Sequence, residues 1–480
     1  MTPARHAAVG AEAVAETVTR PARRTKWPAI VVVTNLLFSG FLLPATALTQ
    51  ELSFSAGPIP AELSCPDPQH SARSAARQED TLAPPGSDEL AGLAIRGKAY
   101  TQDIFLGDLK RTDPSKPFSI GIWGDSHAAS SYFSEELMRA LGLAPETVQS
   151  TFIPPTMDRS GVRLPIHKYC QSRGWSYEYA YSSGQTNGDF SKGLVNLKSD
   201  VPHSYLWVDF RVQPQIPNLR SVDVLYVAPI LGEKTFVGIS ADDGEERILE
   251  LSPEENGVIH IDAEHPISIV KLRLIVGTLV LQGFVPHYVE KPALYLDTLG
   301  IPGATVRGWK AVNTEYLKRS ENNNPYDLLV LEYGTNEGND RNLDLGRYAA
   351  DLRASLKNLR QTYPDALCVL IGPTDRGVLV KRSSRKKHKK YARAPSKNLL
   401  HYAQVHRKLG TIQAAIGKEY SCAFWSWQDA MGGPGGAYLW LRHSPALIAR
   451  DLTHLSVTGY QLSARKFVDD TGLLNYVRNR

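Results

Sequence analysis

Short apolar strands alternate with amphipathic helices in two parts of the chain, and this alternation constrains the fold more than any other feature. The strand-like run Pro117–Trp123 ends at the segment Gly124–His127, and Tyr132–Leu141 then carries its apolar residues at helical spacing. The same alternation of strands and helices occurs late in the chain. Strands are predicted at 326–333, 366–371 and 422–425, and helices at 343–359 and 399–416. Strands joined through helices run parallel, with helices on both faces of the sheet. The sequence therefore predicts a three-layer α/β/α sandwich.

The segment between these two parts has a different pattern. From about residue 166 to residue 290, short alternating strands follow one another, separated by turn clusters such as Asp242–Gly244 and Glu254–Gly257. Many short strands with few helices are typical of an all-β sandwich. We therefore predict a β-sandwich at 166–290, inserted into an α/β domain formed by 96–165 and 291–480.

The first residues have the pattern of a targeting segment. Basic residues precede an apolar run from Ile30 to Leu48, which contains the small-x-small sequence Ala45–Ala47. Residues 1–47 are thus predicted to be a signal peptide, or alternatively an uncleaved membrane anchor, since the run is near the length that spans a bilayer. Either interpretation places the bulk of the chain in the periplasm or outside the cell, with a possible membrane tether. The following Pro-, Ser- and Ala-rich stretch, 48–95, is predicted to be a linker.

Charge and cysteine content exclude several classes of function. The net charge of +5 over 480 residues is small and uneven, so we expect no nucleic-acid partner. The four cysteines lie far apart without a CxxC pair, which argues against a zinc site. They allow up to two disulfides whose pairing the sequence leaves open. Cys368 and Cys422 lie in apolar runs and are equally compatible with buried free thiols.

Ser126 has the surroundings of a nucleophile. It follows a predicted buried strand and opens a helix, which places its hydroxyl at the carboxyl edge of the sheet, where open α/β sheets bind ligands. The alternative is that Asp125 and Ser126 only cap the helix, because both residue types are favoured at that position.

The segment Asp451–His454 offers a base for this serine. A carboxylate three residues before an imidazole, in a turn, can accept a hydrogen bond from one ring nitrogen and leave the other nitrogen free for Ser126. The alternative is a structural histidine, since the chain contains thirteen histidines.

Two further segments supply candidate hydrogen-bond donors for a developing oxyanion. Asn336 follows the predicted strand at 326–333, so its amide lies at the same sheet edge as Ser126. Gly303 lies in the loop Gly300–Ala304, where its backbone N–H can approach a substrate without interference from a side chain. Each segment, taken alone, is also compatible with an ordinary turn.

Together, the motifs resemble the four blocks of the SGNH hydrolase family, in order and in local structure. They are GDSH at 124–127, Gly303, GTNE at 334–337 and DLTH at 451–454. The resemblance implies Ser126 as nucleophile, His454 as base, Asp451 as its orienting group, and Ser126, Gly303 and Asn336 as the oxyanion hole. It also implies an esterase without metal or cofactor. The G-x-S-x-G elbow, HExxH and Walker A motifs are absent from the chain.

Within this family the chain most resembles the peptidoglycan O-acetylesterases. The features that carry this resemblance are His127 after the serine, the stretch Tyr295–Ala304 with its terminal GIPGA, GTNE, and the segment Ala430–Gly433 with Trp440. The resemblance implies an exported enzyme that removes O-acetyl groups from muramic acid in peptidoglycan, and a carbohydrate-binding-like insertion. Three alternatives are a polysaccharide O-acetyltransferase, an exopolysaccharide deacetylase and a non-catalytic glycan-binding protein.

A basic stretch, Lys381–Arg393, departs from the pattern expected of this family. It follows the strand predicted at 366–371 and can face the sheet edge, where it would hold an anionic glycan or lipid surface. We therefore include Lys386 and Lys387, together with His127, as candidate substrate contacts. The alternative is a solvated loop with no ligand.

Overall fold

The structure is a computed structural model that describes residues 50–54, 63–66, 82–83, 106, 115–182, 184, 187–211, 219–253, 257–320, 326–381 and 397–478. Strands and helices are numbered in chain order within these residues. The strands are β1 (Gln50–Phe54), β2 (Leu82–Ala83), β3 (Phe118–Gly124), β4 (Val148–Gln149), β5 (Lys168–Gln171), β6 (Ser176–Tyr179), β7 (Val195–Ser199), β8 (Tyr205–Asp209), β9 (Leu219–Tyr226), β10 (Thr235–Ala241), β11 (Arg247–Leu251), β12 (Val258–Ile267), β13 (Ile269–Val276), β14 (Leu279–Tyr288), β15 (Leu294–Gly300), β16 (Leu328–Glu332), β17 (Leu367–Ile371), β18 (Val380–Lys381) and β19 (Ala423–Trp425).

The helices complete this description. They are α1 (Ser126–Ala129), α2 (Tyr132–Ala140), α3 (Arg307–Ala311), α4 (Thr314–Ser320), α5 (Thr335–Asn339), α6 (Leu345–Thr362), α7 (His401–Glu419), α8 (Trp427–Ala430), α9 (Gly436–Arg442), α10 (Val457–Thr471) and α11 (Leu473–Arg478). None of the described helices is long and apolar enough to cross a membrane.

The α/β domain is built on a parallel sheet with the strand order β19-β17-β16-β3-β15-β4. Successive residues of a strand face opposite sides, so Leu328 and Val330 pack in one core and Leu329 and Leu331 in another. The first core includes apolar residues of α2 and α10, and the second includes residues of α3, α6 and α7. The predicted α/β fold with a parallel sheet, covered by helices on both faces, is confirmed.

An all-β part lies between β4 and β15 in the chain. Its two sheets have the strand orders β1-β12-β9-β14-β7-β6 and β11-β10-β13-β8-β5. Their inward residues, such as Val222 and Leu272, form a shared apolar core. Strands β5 to β14 run from Lys168 to Tyr288, within the stretch predicted to be a β-sandwich.

The stretch predicted as a linker, 48–95, contributes ordered pieces, so the structure corrects that prediction for the described parts. β1 pairs in parallel with β12 at the edge of one sandwich sheet, and β2 pairs with β18. Cys65 forms a disulfide with Cys170. Each piece is too short for a periodic signal, and its order comes from partners far along the chain. The predicted signal peptide or anchor, 1–47, lies outside the described residues.

The second disulfide decides a question that the sequence left open. Cys368 in β17 and Cys422, next to β19, are joined, with their Cα atoms 4.5 Å apart. The two strands are parallel neighbours in the sheet, which brings the two sulfur atoms together. The interpretation of Cys368 and Cys422 as free thiols is therefore wrong.

The register of three neighbouring strands fixes where the candidate serine lies. Gly124, the last residue of β3, is paired with Gly300 of β15 on one side and with Glu332 of β16 on the other. All three strands therefore end at one level of the sheet. A Cβ atom on Gly300 would lie 2.2 Å from the backbone nitrogen of Ala129 in α1, so only glycine permits this close approach.

This contact gives a prediction for stability. In Gly300→Ala the new methyl group collides with backbone, which cannot rotate away, so α1 must shift. We expect the free energy of unfolding to fall by about 1–3 kcal/mol, as measured by urea denaturation. The matched control is Gly184→Ala, because a Cβ atom there meets no atom within 4 Å. Equal loss of stability in both variants would contradict the contact.

Candidate active site

Ser126 is positioned by the sharp change from β3 to α1. Asp125 caps the helix, and its Oδ1 accepts a hydrogen bond from the His127 backbone N–H at 2.9 Å. The side chains of Asp125 and His127 are fully buried, whereas Ser126 remains partly exposed. The burial of both neighbours leaves the Ser126 hydroxyl facing outward from the carboxyl edge of the sheet.

Three predicted residues form a continuous hydrogen-bonded chain. Ser126 Oγ lies 3.0 Å from His454 Nε2, and His454 Nδ1 lies 2.7 Å from Asp451 Oδ2. Asp451 is an acceptor when ionised, so Nδ1 carries the proton and Nε2 accepts the hydrogen bond from Ser126. This arrangement leaves His454 able to take the serine proton.

The backbone turn at 451–454 holds the carboxylate and the imidazole together. Asp451 Oδ1 accepts hydrogen bonds from the backbone N–H groups of Thr453 and His454, at 2.9 and 3.0 Å. Leu452 adopts a left-handed conformation with φ of +56° while its side chain is completely buried. The left-handed backbone conformation is unfavourable for a leucine, and burial of its side chain in the core offsets that conformational cost.

The pKa values of Asp451 and His454 are shifted in opposite directions. Burial raises the pKa of Asp451, but hydrogen bonds from the His454 side chain and from the turn's N–H groups outweigh it and lower this pKa to about 2. The hydrogen bond that His454 donates to Asp451 raises the pKa of His454 above its ordinary 6.5, against the opposing effect of burial. Asp451 therefore stays ionised at neutral pH and stabilises the imidazolium form of His454.

The two candidate oxyanion segments lie beside Ser126 and are joined to each other. The Asn336 amide donates to Ala304 O at 2.8 Å and to Asp125 Oδ2 at 3.3 Å. Gly303, immediately before Ala304, has φ of +88° and is exposed. A hydrogen bond of 2.9 Å from Ala304 N to Ile301 O closes this turn. Asn336 thus contacts Asp125, the residue that precedes Ser126. A developing oxyanion would compete with Asp125 for the N–H group that makes this longer hydrogen bond.

Glu337 has a role that the sequence reasoning missed. Its Oε1 accepts from Val306 N at 2.9 Å and its Oε2 from Gly334 N at 3.1 Å, so one buried carboxyl group joins the loops after β15 and β16. Burial raises its pKa to about 7. A carboxylate directly after Asn336, in a segment that follows a predicted buried strand, is the available signal in the sequence.

The structure does not support His127 as a substrate contact. Its ring is fully buried, with Nδ1 3.0 Å from Tyr460 Oη and Nε2 3.5 Å from Thr374 Oγ1. Its ring centroid lies 5.5 Å from that of His454, with the two ring planes tilted by 41°, so the buried ring packs beside that of His454. Burial, helped by the charge of His454, lowers the His127 pKa to about 3. Lys386 and Lys387 lie outside the described residues.

A group with the side-chain types of a metal site occurs elsewhere, on the β-sandwich. Ligand atoms of Asp223, His260 and His287 lie within 4.8 Å of one another. Asp223 makes hydrogen bonds with both imidazoles, of 2.5 Å to His260 and 2.7 Å to His287. The carboxylate therefore already pairs with both rings, and this group is separate from the serine, histidine and aspartate described above.

The His454–Asp451 pair gives a prediction for titration. We expect the His454 pKa, measured by NMR of the imidazole ring, to lie above 6.5 in the wild type. In Asp451→Asn the carboxylate no longer stabilises the charged ring, so this pKa should fall. The matched control is Asp243→Asn, because its carboxylate pairs with Lys271 on the β-sandwich and not with an imidazole; this variant should leave the His454 pKa unchanged. An unchanged His454 pKa in Asp451→Asn would contradict the proposed pairing.

Comparisons with known proteins agree with this geometry. Residues 281–462 match the model of the GDSL-like lipase/acylhydrolase family. A solved structure of a peptidoglycan O-acetylesterase has a TM-score of 0.52 at 22% identity, over 76% of this chain and 93% of that chain. No curated protein matches the chain in sequence.

Two more distant structures also match in part. The α/β hydrolase LAE5 from the metagenome of Lake Arreo, Spain, has a TM-score of 0.27 at 19% identity over 38% of this chain and 74% of that one. A family two carbohydrate esterase from Clostridium thermocellum has a TM-score of 0.25 at 11% identity over 62% and 98%. The family match over residues 281–462 and the fold make this chain similar to the GDSL-like acylhydrolases, which are carboxylic ester hydrolases, and its fold resembles that of a peptidoglycan O-acetylesterase.

Proposed function

We propose that this protein is an exported serine esterase that removes O-acetyl groups from peptidoglycan. The observation that carries the proposal is the hydrogen-bonded chain from Ser126 through His454 to Asp451 at the sheet edge. A hydroxyl activated in this way attacks an ester carbonyl, and neither a metal nor a cofactor enters the proposed reaction.

The first half of the reaction forms an acetyl-enzyme. Ser126 Oγ attacks the acetyl carbonyl while its proton passes to His454 Nε2, and the ionised Asp451 stabilises the resulting imidazolium. The carbonyl oxygen becomes an oxyanion, which accepts hydrogen bonds from the backbone N–H groups of Ser126 and Gly303 and from the Asn336 amide. The bond to the sugar oxygen then breaks, and that oxygen takes the proton from His454.

The second half of the reaction restores the enzyme. A water molecule attacks the acetyl group on Ser126, and its proton passes to His454 Nε2. The serine oxygen leaves and recovers the proton, which releases acetate. Since His454 must be unprotonated to act as base, activity should decline as the pH falls below its raised pKa.

The glycan substrate is supported by the architecture as a whole. The matched structure of a peptidoglycan O-acetylesterase covers 76% of this chain, more than the two predicted α/β segments alone contain. The likeness therefore extends into the β-sandwich. A separate β-sandwich beside an esterase site suits a polymer substrate, because it provides surface for a chain that extends beyond the ester.

Export is the second part of the proposal. The basic and apolar pattern of residues 1–47 supports it, with either cleavage or a membrane tether. The two disulfides, Cys65–Cys170 and Cys368–Cys422, also support it, since such bonds persist in oxidising compartments.

The role of Asn336 is testable by mutation. In Asn336→Ala the oxyanion loses one donor, which we expect to lower kcat by about a hundredfold or more, equivalent to about 3 kcal/mol. The variant should stay folded, as checked by thermal unfolding. Asn358→Ala is the matched control, because its amide also donates to backbone carbonyls, but those of Trp309, Lys310 and Val312. An unchanged rate in Asn336→Ala would remove this residue from the site.

The substrate is testable by acetate release. The wild type should release acetate from O-acetylated peptidoglycan faster than from acetylated xylan, and Ser126→Ala should reduce the rate by about a thousandfold or more. Ser130→Ala, next to α1, controls for the loss of a nearby hydroxyl. Preference for xylan would overturn the peptidoglycan assignment, and acetyl groups appearing on an added glycan acceptor would indicate a transferase.

A further inference from the structure

The loop after β17 lies against the turn that carries His454. Gly377 N donates to Leu452 O at 3.0 Å, so the loop is bonded to the backbone between Asp451 and His454. On its other side, Thr374 O accepts from His406 Nδ1 at 2.6 Å. Arg376 lies between these two anchors. Its backbone position is therefore fixed at the rim of the candidate active site.

The side chain of Arg376 is held in place but has no anionic partner among the residues that the structure describes. Its guanidinium carbon lies 3.8 Å from the centroid of the Tyr402 ring, a cation–π contact that orients the group. Its Nε and Nη1 atoms are buried and have no hydrogen-bond acceptor among the described residues, although the side chain as a whole remains partly exposed. Within the same residues, no salt bridge involves Arg376, whereas Arg407 on α7 pairs with Asp429.

The neighbouring carboxylate does not neutralise this charge. Asp375 is buried, and its two oxygens accept hydrogen bonds from the Gln428 amide and from the backbone N–H groups of Gly435 and Ala437. Donors buried without an acceptor cost about 1–3 kcal/mol each. The hydrogen bond to Asp451 raises the pKa of His454, and the positive charge of Arg376 opposes part of that rise, so its field reaches the candidate base.

The order of strands indicates which part of a substrate would meet Arg376. Gly303 follows β15, on one side of β3, and Arg376 follows β17, two strands away on the other side. An ester carbonyl held between Ser126 and Gly303 would therefore direct some other part of the substrate toward Arg376. A guanidinium whose Nε and Nη1 have no acceptor within the described part of the chain is well suited to bind a carboxylate.

We propose that Arg376 forms an anion-binding subsite beside His454 that recognises a carboxylate group on the glycan substrate. This inference rests on the proposed function for its substrate class. Carboxylates of a muramic acid lactyl group, of an attached peptide or of a uronic acid share the required chemistry. The subsite selects acidic glycans over neutral ones.

Direct binding tests the subsite without any turnover. NMR titration of the protein with N-acetylmuramic acid, glucuronic acid and the neutral sugar N-acetylglucosamine gives three Kd values. In the wild type we expect at least one acidic sugar to bind about tenfold or more tightly than the neutral sugar. Arg376→Gln should reduce this ratio to near one, and Arg376→Lys should retain part of it because the charge remains. Which acidic sugar binds distinguishes a muramic acid from a uronic acid source.

The matched control is Arg353→Gln, which removes the same charge from an exposed ion pair with Glu419 on the protein surface and should leave the ratio unchanged. Equal Kd values for acidic and neutral sugars in the wild type would overturn the subsite. So would a ratio that survives Arg376→Gln, or an equal loss of binding for all three sugars, which would indicate a structural role. Because binding is measured without hydrolysis, these outcomes are independent of whether peptidoglycan acetate is released.

Discussion

The parallel pairing of β3 with β15 and β16 is the constraint on which the site depends. Gly124 faces Gly300 on one side and Glu332 on the other, so three chain segments leave the sheet at one level. The segments that follow these strands therefore start side by side. They carry Ser126, Gly303 and Asn336. A shift of register in any of these strands would separate the serine from its candidate oxyanion donors, because each lies only a few residues beyond its strand.

Two histidines in close contact have opposite acid–base properties. His127 and His454 have ring centroids 5.5 Å apart, but burial lowers the pKa of His127 to about 3, while the hydrogen bond that His454 donates to Asp451 raises the pKa of His454. The buried ring therefore stays neutral and supports the exposed one without competing for the proton. Titratable groups whose surroundings push their pKa values apart are typical of sites that perform acid–base chemistry.

The β-sandwich is bonded directly to the strands that carry the site. Lys192, from the chain between β6 and β7, reaches Thr151 Oγ1 at 3.0 Å and Asp297 Oδ2 of β15 at 3.4 Å. Its carbonyl oxygen accepts from the indole N–H of Trp123 in β3 at 2.7 Å. These contacts are buried, where charged groups require close partners. The inserted part thus helps to fix β3 and β15, the strands that end next to Ser126 and Gly303.

The sequence by itself determined the α/β class, the resemblance to SGNH hydrolases and the candidate residues Ser126, Asp451 and His454, because strand and helix periods and short motifs are local properties. Only the tertiary structure decided the disulfide pairing, the place of β1 in the sandwich, the burial of His127 and the link that Glu337 makes between two loops. It also showed that the Nε and Nη1 atoms of Arg376 have no acceptor among the described residues. These features depend on contacts between residues far apart in the chain, and no local pattern encodes which distant groups will meet.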